Sequence, residues 1–148
     1  MILTDRPEEV CAWLWQHNGT AEHHSACQTF GWWNAEGELR AALAFHHATE
    51  RSCMCDIVLL DGWFPPRLLF LGLWYPFGQL GLRRLTFHVA ESNLKSIALV
   101  EKLGAYREAT LQDGCSDGDA YIYCLRPNNC KIWSKLDGKI QRKRASGP

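Results

Sequence analysis

The sequence predicts a mixed α/β domain with some parallel strand pairing, and three observations predict it. Helix-like and strand-like stretches follow one another as helix, three strands, helix, strand, helix, two strands. The middle of the chain runs strand, helix, strand, helix, and a crossover helix joins parallel strands. Hydrophobic residues make up 47% of the 148, enough to fill one core at this length.

The stretch PEEVCAWLWQHNG opens as a helix. Pro7 suits the first turn, Glu8 and Glu9 favour the positive end, and Gly19 can end it. Val10, Trp13 and Leu14 recur at helical spacing and define an apolar face. Thr20 to Ala26 reads as a polar connection. CQTFGWWNAEGELRAALAFHHA reads as a hairpin turning at NAEG, and a third strand follows at CMCDIVLL. A helix is expected from Pro66, with Pro76 kinking or shortening it. In RRLTFHV the apolar residues Leu85, Phe87 and Val89 alternate with polar ones, the mark of a half-buried strand. The next helix is capped by Ser92 or Asn93, presents Ile97, Val100 and Leu103 on one side, and ends at Gly104. YREATLQDGCSDGDAYIYCLRP closes the pattern as two strands around a Gly/Asp-rich turn.

Composition narrows the function classes. No run approaches the roughly 20 apolar residues of a membrane helix; the richest, Leu68 to Leu82, is broken by Gly72, Pro76, Gly78 and Gln79. The opening MILTDRPEEV lacks a basic-then-apolar pattern, so no secretory leader is expected and the location is read as cytoplasmic. The seven cysteines (11, 27, 53, 55, 115, 124 and 130) are then reduced thiols. Cys53 and Cys55, with His46 and His47 nearby, lack a second cysteine pair, and no metal site is expected. The net charge is zero, yet Lys131 to Pro148 holds six Lys/Arg against one Asp. Residues 1–130 are therefore read as the folded domain and 131–148 as a basic, flexible tail. A nucleic-acid contact by that tail is a weaker alternative. Exposed strand edges and many aromatics make a homodimer plausible. Trp13, Trp15, Trp32, Trp33, Trp63 and Trp74 are candidates either for packing or for lining a substrate groove.

From Asn93 the chain reads N-x-x-S-x-x-hydrophobic-x-E-K-L-G, through Ser96, Leu99, Glu101, Lys102, Leu103 and Gly104. Glu108 follows, then Asp119 and Tyr123 in D-x-x-x-Y spacing. From about Pro66 to Arg126 this resembles the GNAT superfamily of acyl-CoA N-acyltransferases, in its ribosomal-protein and small-amine branch. Compact phage and prophage members look similar. The resemblance implies a mixed central sheet with two splayed parallel strands, flanked by helices, and the pantetheine arm of acetyl-CoA in the gap. It implies that Asn93 bonds that arm, for which a side-chain amide offers both donor and acceptor, besides capping its helix. It gives Ser96 the protonation of the departing thiolate. The Tyr that many members carry four positions later is Val100 here.

The phosphate loop departs from the family's R/Q-x-x-G-x-G/A. The corresponding window is Asp61 to Pro66, where Phe64 and Pro66 replace the glycines and Pro65 and Pro66 lack N–H donors. Backbone amides at Arg67, Leu68 and Leu69, and the Arg67 guanidinium, are the remaining phosphate donors. An attacking amine must lose a proton, directly or through water. Asp56 is the favoured base, with His88 and Glu91 as alternatives. The expected activity is acetyl transfer from acetyl-CoA to a primary amine, of a protein or a small molecule. The rival is a binding or structural module of the same fold that has lost its cofactor.

Overall fold

The computed structural model describes residues 1–3, 5–18 and 28–147. The expected stop at Gly19, the connection Thr20 to Ala26, and Cys27 lie outside them. The elements are β1 (Ile2–Leu3), α1 (Pro7–Asn18), β2 (Gln28–Trp33), β3 (Leu39–His46), β4 (Ser52–Leu59), α2 (Pro66–Leu73), β5 (Arg84–Ala90), α3 (Leu94–Leu103), β6 (Tyr106–Cys115), β7 (Gly118–Leu125) and α4 (Lys131–Ala145). They build one seven-stranded sheet in the order β1-β2-β3-β4-β5-β7-β6. Among the described residues only β4 and β5 pair in parallel. The fold is therefore the mixed α/β sheet that the sequence predicts, with the short β1 added at the edge.

Strand alternation divides the interior between two faces. On one, Ala42, Ala44 and Val58 pack with Val10 and Leu14 of α1. The small alanines leave room for the helix. On the other, Leu43, Phe45, Cys53, Cys55, Leu85 and Phe87 join residues of α2, α3 and α4. Burial in this apolar layer pushes the Cys53 thiol up to about 12 and Cys55 well above its ordinary range. Both are thus kept as neutral packing groups. Gly72 brings α2 onto β3, since a Cβ there would lie 2.7 Å from Leu43 Cδ1.

The α-helix expected from Pro66 stops at Leu73 and continues as π-helical turns over Trp74–Gln79. Pro76 has no N–H to offer the α-helical ladder. The wider turn is closed by the Leu80 N–H, which donates to Tyr75 O at 3.0 Å.

The basic stretch expected to be a flexible tail is instead the helix α4. Its first half docks: Trp133 is buried in the α2/α3 core, with Ile132 and Leu136 packed against it. The charge count over 131–148 masked this apolar spacing. Ala105, directly after the helix-ending Gly104, belongs to the same buried cluster as Trp133.

Candidate active site

β4 and β5 pair only over Ser52–Met54 and Arg84–Thr86, although the strands run on to Leu59 and Ala90. Beyond that point β4 keeps its partner β3, and β5 keeps β7. Each strand is held from outside while the two part from each other. The gap opens at the carboxyl ends of parallel strands, where open α/β sheets bind ligands. A cleft of about 830 Å³ lies there. Asp56 and His88 line it from the parted strands, Asn93 and Ser96 from α3, and Cys115 and Asp117 from the β6–β7 hairpin. A separate apolar space beneath α2, between Leu43, Phe64 and Gly72, measures about 10 Å³, too small for a ligand.

The start of α3 is tightly organised. Asn93 is the N-cap, and its Oδ1 accepts the Ser96 N–H at 3.1 Å. This uses the amide's oxygen and leaves its NH2 end at the cleft. The Ser92 hydroxyl donates to Asp117 at 2.7 Å, and the Glu91 N–H to Asp119 O at 3.0 Å. These bonds fasten the β6–β7 hairpin over the mouth. Ser96 is half-buried one turn into the helix, beside Leu99 and Val100.

Asp56 does not stand alone. β3–β4 register pairs Ala44 with Asp56 and His46 with Met54, so Asp56 and His46 are diagonal neighbours on one face. His46 Nε2 lies 3.2 Å from Asp56 Oδ2, with side chains 10% and 23% exposed. His47 has left its strand with φ +49°, a left-handed conformation uncommon for a side-chain-bearing residue. The turn brings its Nδ1 to 2.7 Å from His46 Nδ1. Cys53 and Cys55 face the opposite layer, in the α2/α3 core, so strand alternation separates them from His46. Among the described residues no group of three His, Cys, Asp or Glu is arranged to hold a metal ion.

The α2 N-terminus starts at Pro66 behind Pro65, and the Leu69 N–H donates to Pro65 O at 2.9 Å. The first-turn N–H groups left are those of Arg67 and Leu68. Asp61 pairs with Arg40 of β3, which holds its carboxyl below the ordinary value. The anion in the window expected to meet the phosphates is thus neutralised locally. Arg67 is exposed and the Leu68 side chain is fully buried; neither lines the cleft described above.

No protein-family model matches the chain, and no curated protein sequence matches it. Solved structures do. A chimera of the Vibrio cholerae spermidine N-acetyltransferase SpeG with hSSAT superposes at a TM-score of 0.65 and 16% identity, covering 86% of this chain and 97% of that one. SpeG from Vibrio cholerae in complex with manganese ions gives 0.66 at 19% identity, covering 85% and 91%. A dodecameric structure of spermidine N-acetyltransferase from the same organism gives 0.67 at 16%, covering 85% and 92%. The chain has the GNAT fold. At these identities the likeness is one of fold. The strand splay of the GNAT fold is the β4–β5 parting found here.

Three of the sequence-picked residues, Asp56, Asn93 and Ser96, meet at the cleft, as does the alternative His88, whereas Glu91 is not in its lining. Residues further on that carried the resemblance in the sequence hold elements together. The Tyr123 hydroxyl donates to Glu101 at 2.8 Å, tying β7 to α3, and Arg84 of β5 reaches over β7 to Glu108 of β6 at 2.6 Å. None of the six tryptophans considered as groove residues lines the cleft. Trp33 is buried, while Trp15 and Trp63 are 48% and 51% exposed elsewhere. Sequence reading missed the coupling of His46 and His47 to Asp56. The alternation in LRAALAFH and the hairpin register carried the signal for His46.

Proposed function

We propose that this chain transfers an acetyl group from acetyl-CoA to a primary amine. The observation that carries the reading is the parting of β4 and β5 into a cleft with Asn93 at its mouth. The parted strands offer unpaired backbone donors and acceptors, and the Asn93 NH2 adds a donor; a chain of amides matches such a surface. Arg67 and the first-turn N–H groups of α2 would meet the phosphates.

In the reaction the amine nitrogen bonds to the thioester carbon and the C–S bond breaks. Ser96 protonates the leaving sulfur. Asp56 collects the proton lost by the amine, directly or through hydrogen-bonded neighbours. The carboxylates Asp56 and Asp117 in the cleft suit a cationic acceptor, and spermidine is the first to try because the structural neighbours are named for it.

A second reading is a binding module of this fold without acetyl-CoA. It is favoured by Pro65 and Pro66, which remove two N–H donors where phosphates would lie. Calorimetric titration with acetyl-CoA, followed by mass spectrometry of spermidine and other amines incubated with both, decides between them. Micromolar binding and an acetylated amine support the transferase. No binding at millimolar acetyl-CoA leaves the module.

A further inference from the structure

Two sides of α4 have opposite character. Ile132, Trp133 and Leu136 are taken up by the core. The cations lie on another side. At about 100° per residue, Lys131, Lys135, Lys139 and Arg142 fall within roughly 80° of arc, and Lys143 lies about 40° further round. Lys131, Lys135, Lys139 and Lys143 follow one another in four-residue steps, each about 6 Å along the axis. All five cations are exposed. Among the described residues none of them is in an ion pair. Arg142 Nε donates to the Gly138 carbonyl at 3.0 Å, within the helix.

Helix stability does not explain this stripe. Arg142, Lys143 and Arg144 in the last turn suit the negative end of the helix dipole. Lys131 stands at the positive end, in a first turn that holds no acid. Like charges at i and i+4 repel, and the stripe repeats that pair three times. Asp137, the one acid of α4, falls on the opposite side of the helix, where it accepts from Gln141 at 3.3 Å. A local rule broken repeatedly with no gain in folding marks a surface with another use. The rest of the chain sharpens the contrast: residues 1–130 hold ten Lys/Arg against fifteen Asp/Glu. A polyanion is therefore repelled by the body of the molecule and drawn to α4.

We propose that the outer face of α4 is a docking surface for the phosphodiester backbone of a double-stranded nucleic acid, held by Lys131, Lys135, Lys139 and Arg142. The surface is independent of the acetyl-transfer reading, since no residue of α4 lines the cleft. A duplex presents one phosphate per about 3.4 Å along each strand. A stripe whose outer lysines stand about 18 Å apart can meet several of them at once. Such contacts position the protein without reading bases, so the binding is independent of sequence. An anionic membrane is the rival polyanion. An interfacial helix inserts an apolar face into the bilayer, but in α4 Trp133, Ile132 and Leu136 are already packed in the core. What α4 offers outward is charge, and charge is what a phosphodiester backbone binds.

Fluorescence anisotropy of the full chain tests this, with a labelled DNA duplex and the RNA duplex of the same sequence, from about 50 to about 200 mM salt. The logarithm of the binding constant should fall against the logarithm of salt with a slope of about −3.5, the value for four phosphate contacts, which is an affinity loss of about 10²-fold over that range. The triple variant Lys131→Gln, Lys135→Gln, Lys139→Gln keeps helix-forming side chains and should melt no lower than the parent. It should bind at least about 30-fold more weakly at the lowest salt, with the slope reduced by about 2.7. The control Arg51→Gln, Arg83→Gln, Lys95→Gln removes the same charge from exposed positions off α4. It should stay within about threefold of the parent and keep the slope. This pattern with either duplex supports the surface, and the tighter duplex identifies the source of the phosphates. Parental binding by the α4 variant, an equal loss in the control, or no binding to either duplex at the lowest salt overturns it. Binding to vesicles of phosphatidylserine and phosphatidylcholine without binding to either duplex overturns it in favour of a membrane.

Discussion

Asn93 has two duties that different substitutions can separate. Asn93→Ala removes the cap on Ser96 N–H and should lower stability by about 1 kcal/mol. It should also weaken acetyl-CoA binding. Asn93→Ser keeps an oxygen for the cap but loses the NH2 end, so its melting temperature should stay near the parent's while acetyl-CoA affinity falls as in the Ala variant. Calorimetry and thermal denaturation of the pair read the two effects. Asn93, Ser96 and Asp56 were legible in the sequence because N-x-x-S and an acid beside an apolar run are local patterns. The histidine chain was not, because His46 meets Asp56 only through antiparallel register and His47 only through a backbone turn.

Among the elements, α4 departs furthest from expectation. Composition alone made 131–148 a solvated tail, yet Trp133 inserts where α2, α3 and the sheet meet. Its approach is supported by Gly104, which ends α3 at φ +106° and lies directly beneath Asn129 O. A side chain there would suffer both the backbone strain and the collision. Trp133→Ala should cost about 3–5 kcal/mol, seen as a lower denaturant midpoint, together with a loss of helical signal as α4 detaches. Strand β5, by contrast, was readable almost residue by residue, because its alternation is written in the sequence itself. The π-helical turns needed the structure: Pro76 announces an interruption but not which wider turn replaces it.

For the whole molecule, the charge network ties distant parts of the sheet. Arg84 spans from β5 to Glu108 on β6, and Arg40 holds the loop ahead of α2 through Asp61. Each arginine holds its carboxylate partner below the ordinary value, 4.5 for Glu108 and 3.8 for Asp61, mainly by hydrogen bonding. The unfolded chain therefore binds these protons first as pH falls. The stability these pairs confer is complete above those ordinary values and is lost as pH drops through the lower folded ones. Melting temperature should fall between about pH 5 and pH 3, and Arg84→Met should flatten the decline. The order of elements and the presence of a crossover were legible at this scale. Where the parallel strands separate was implied only by family resemblance, since pairing partners are not local information. That separation means the sheet is unfinished: two inner edges have hydrogen-bonding capacity that no strand among the described residues uses. A ligand rich in amides would complete the sheet as a missing strand does, so recognition and folding would draw on the same bonds. Backbone amides in Cys55–Leu59 and Phe87–Ala90 should then exchange with deuterium more slowly once acetyl-CoA is bound, while those of β6 at the far edge should not change.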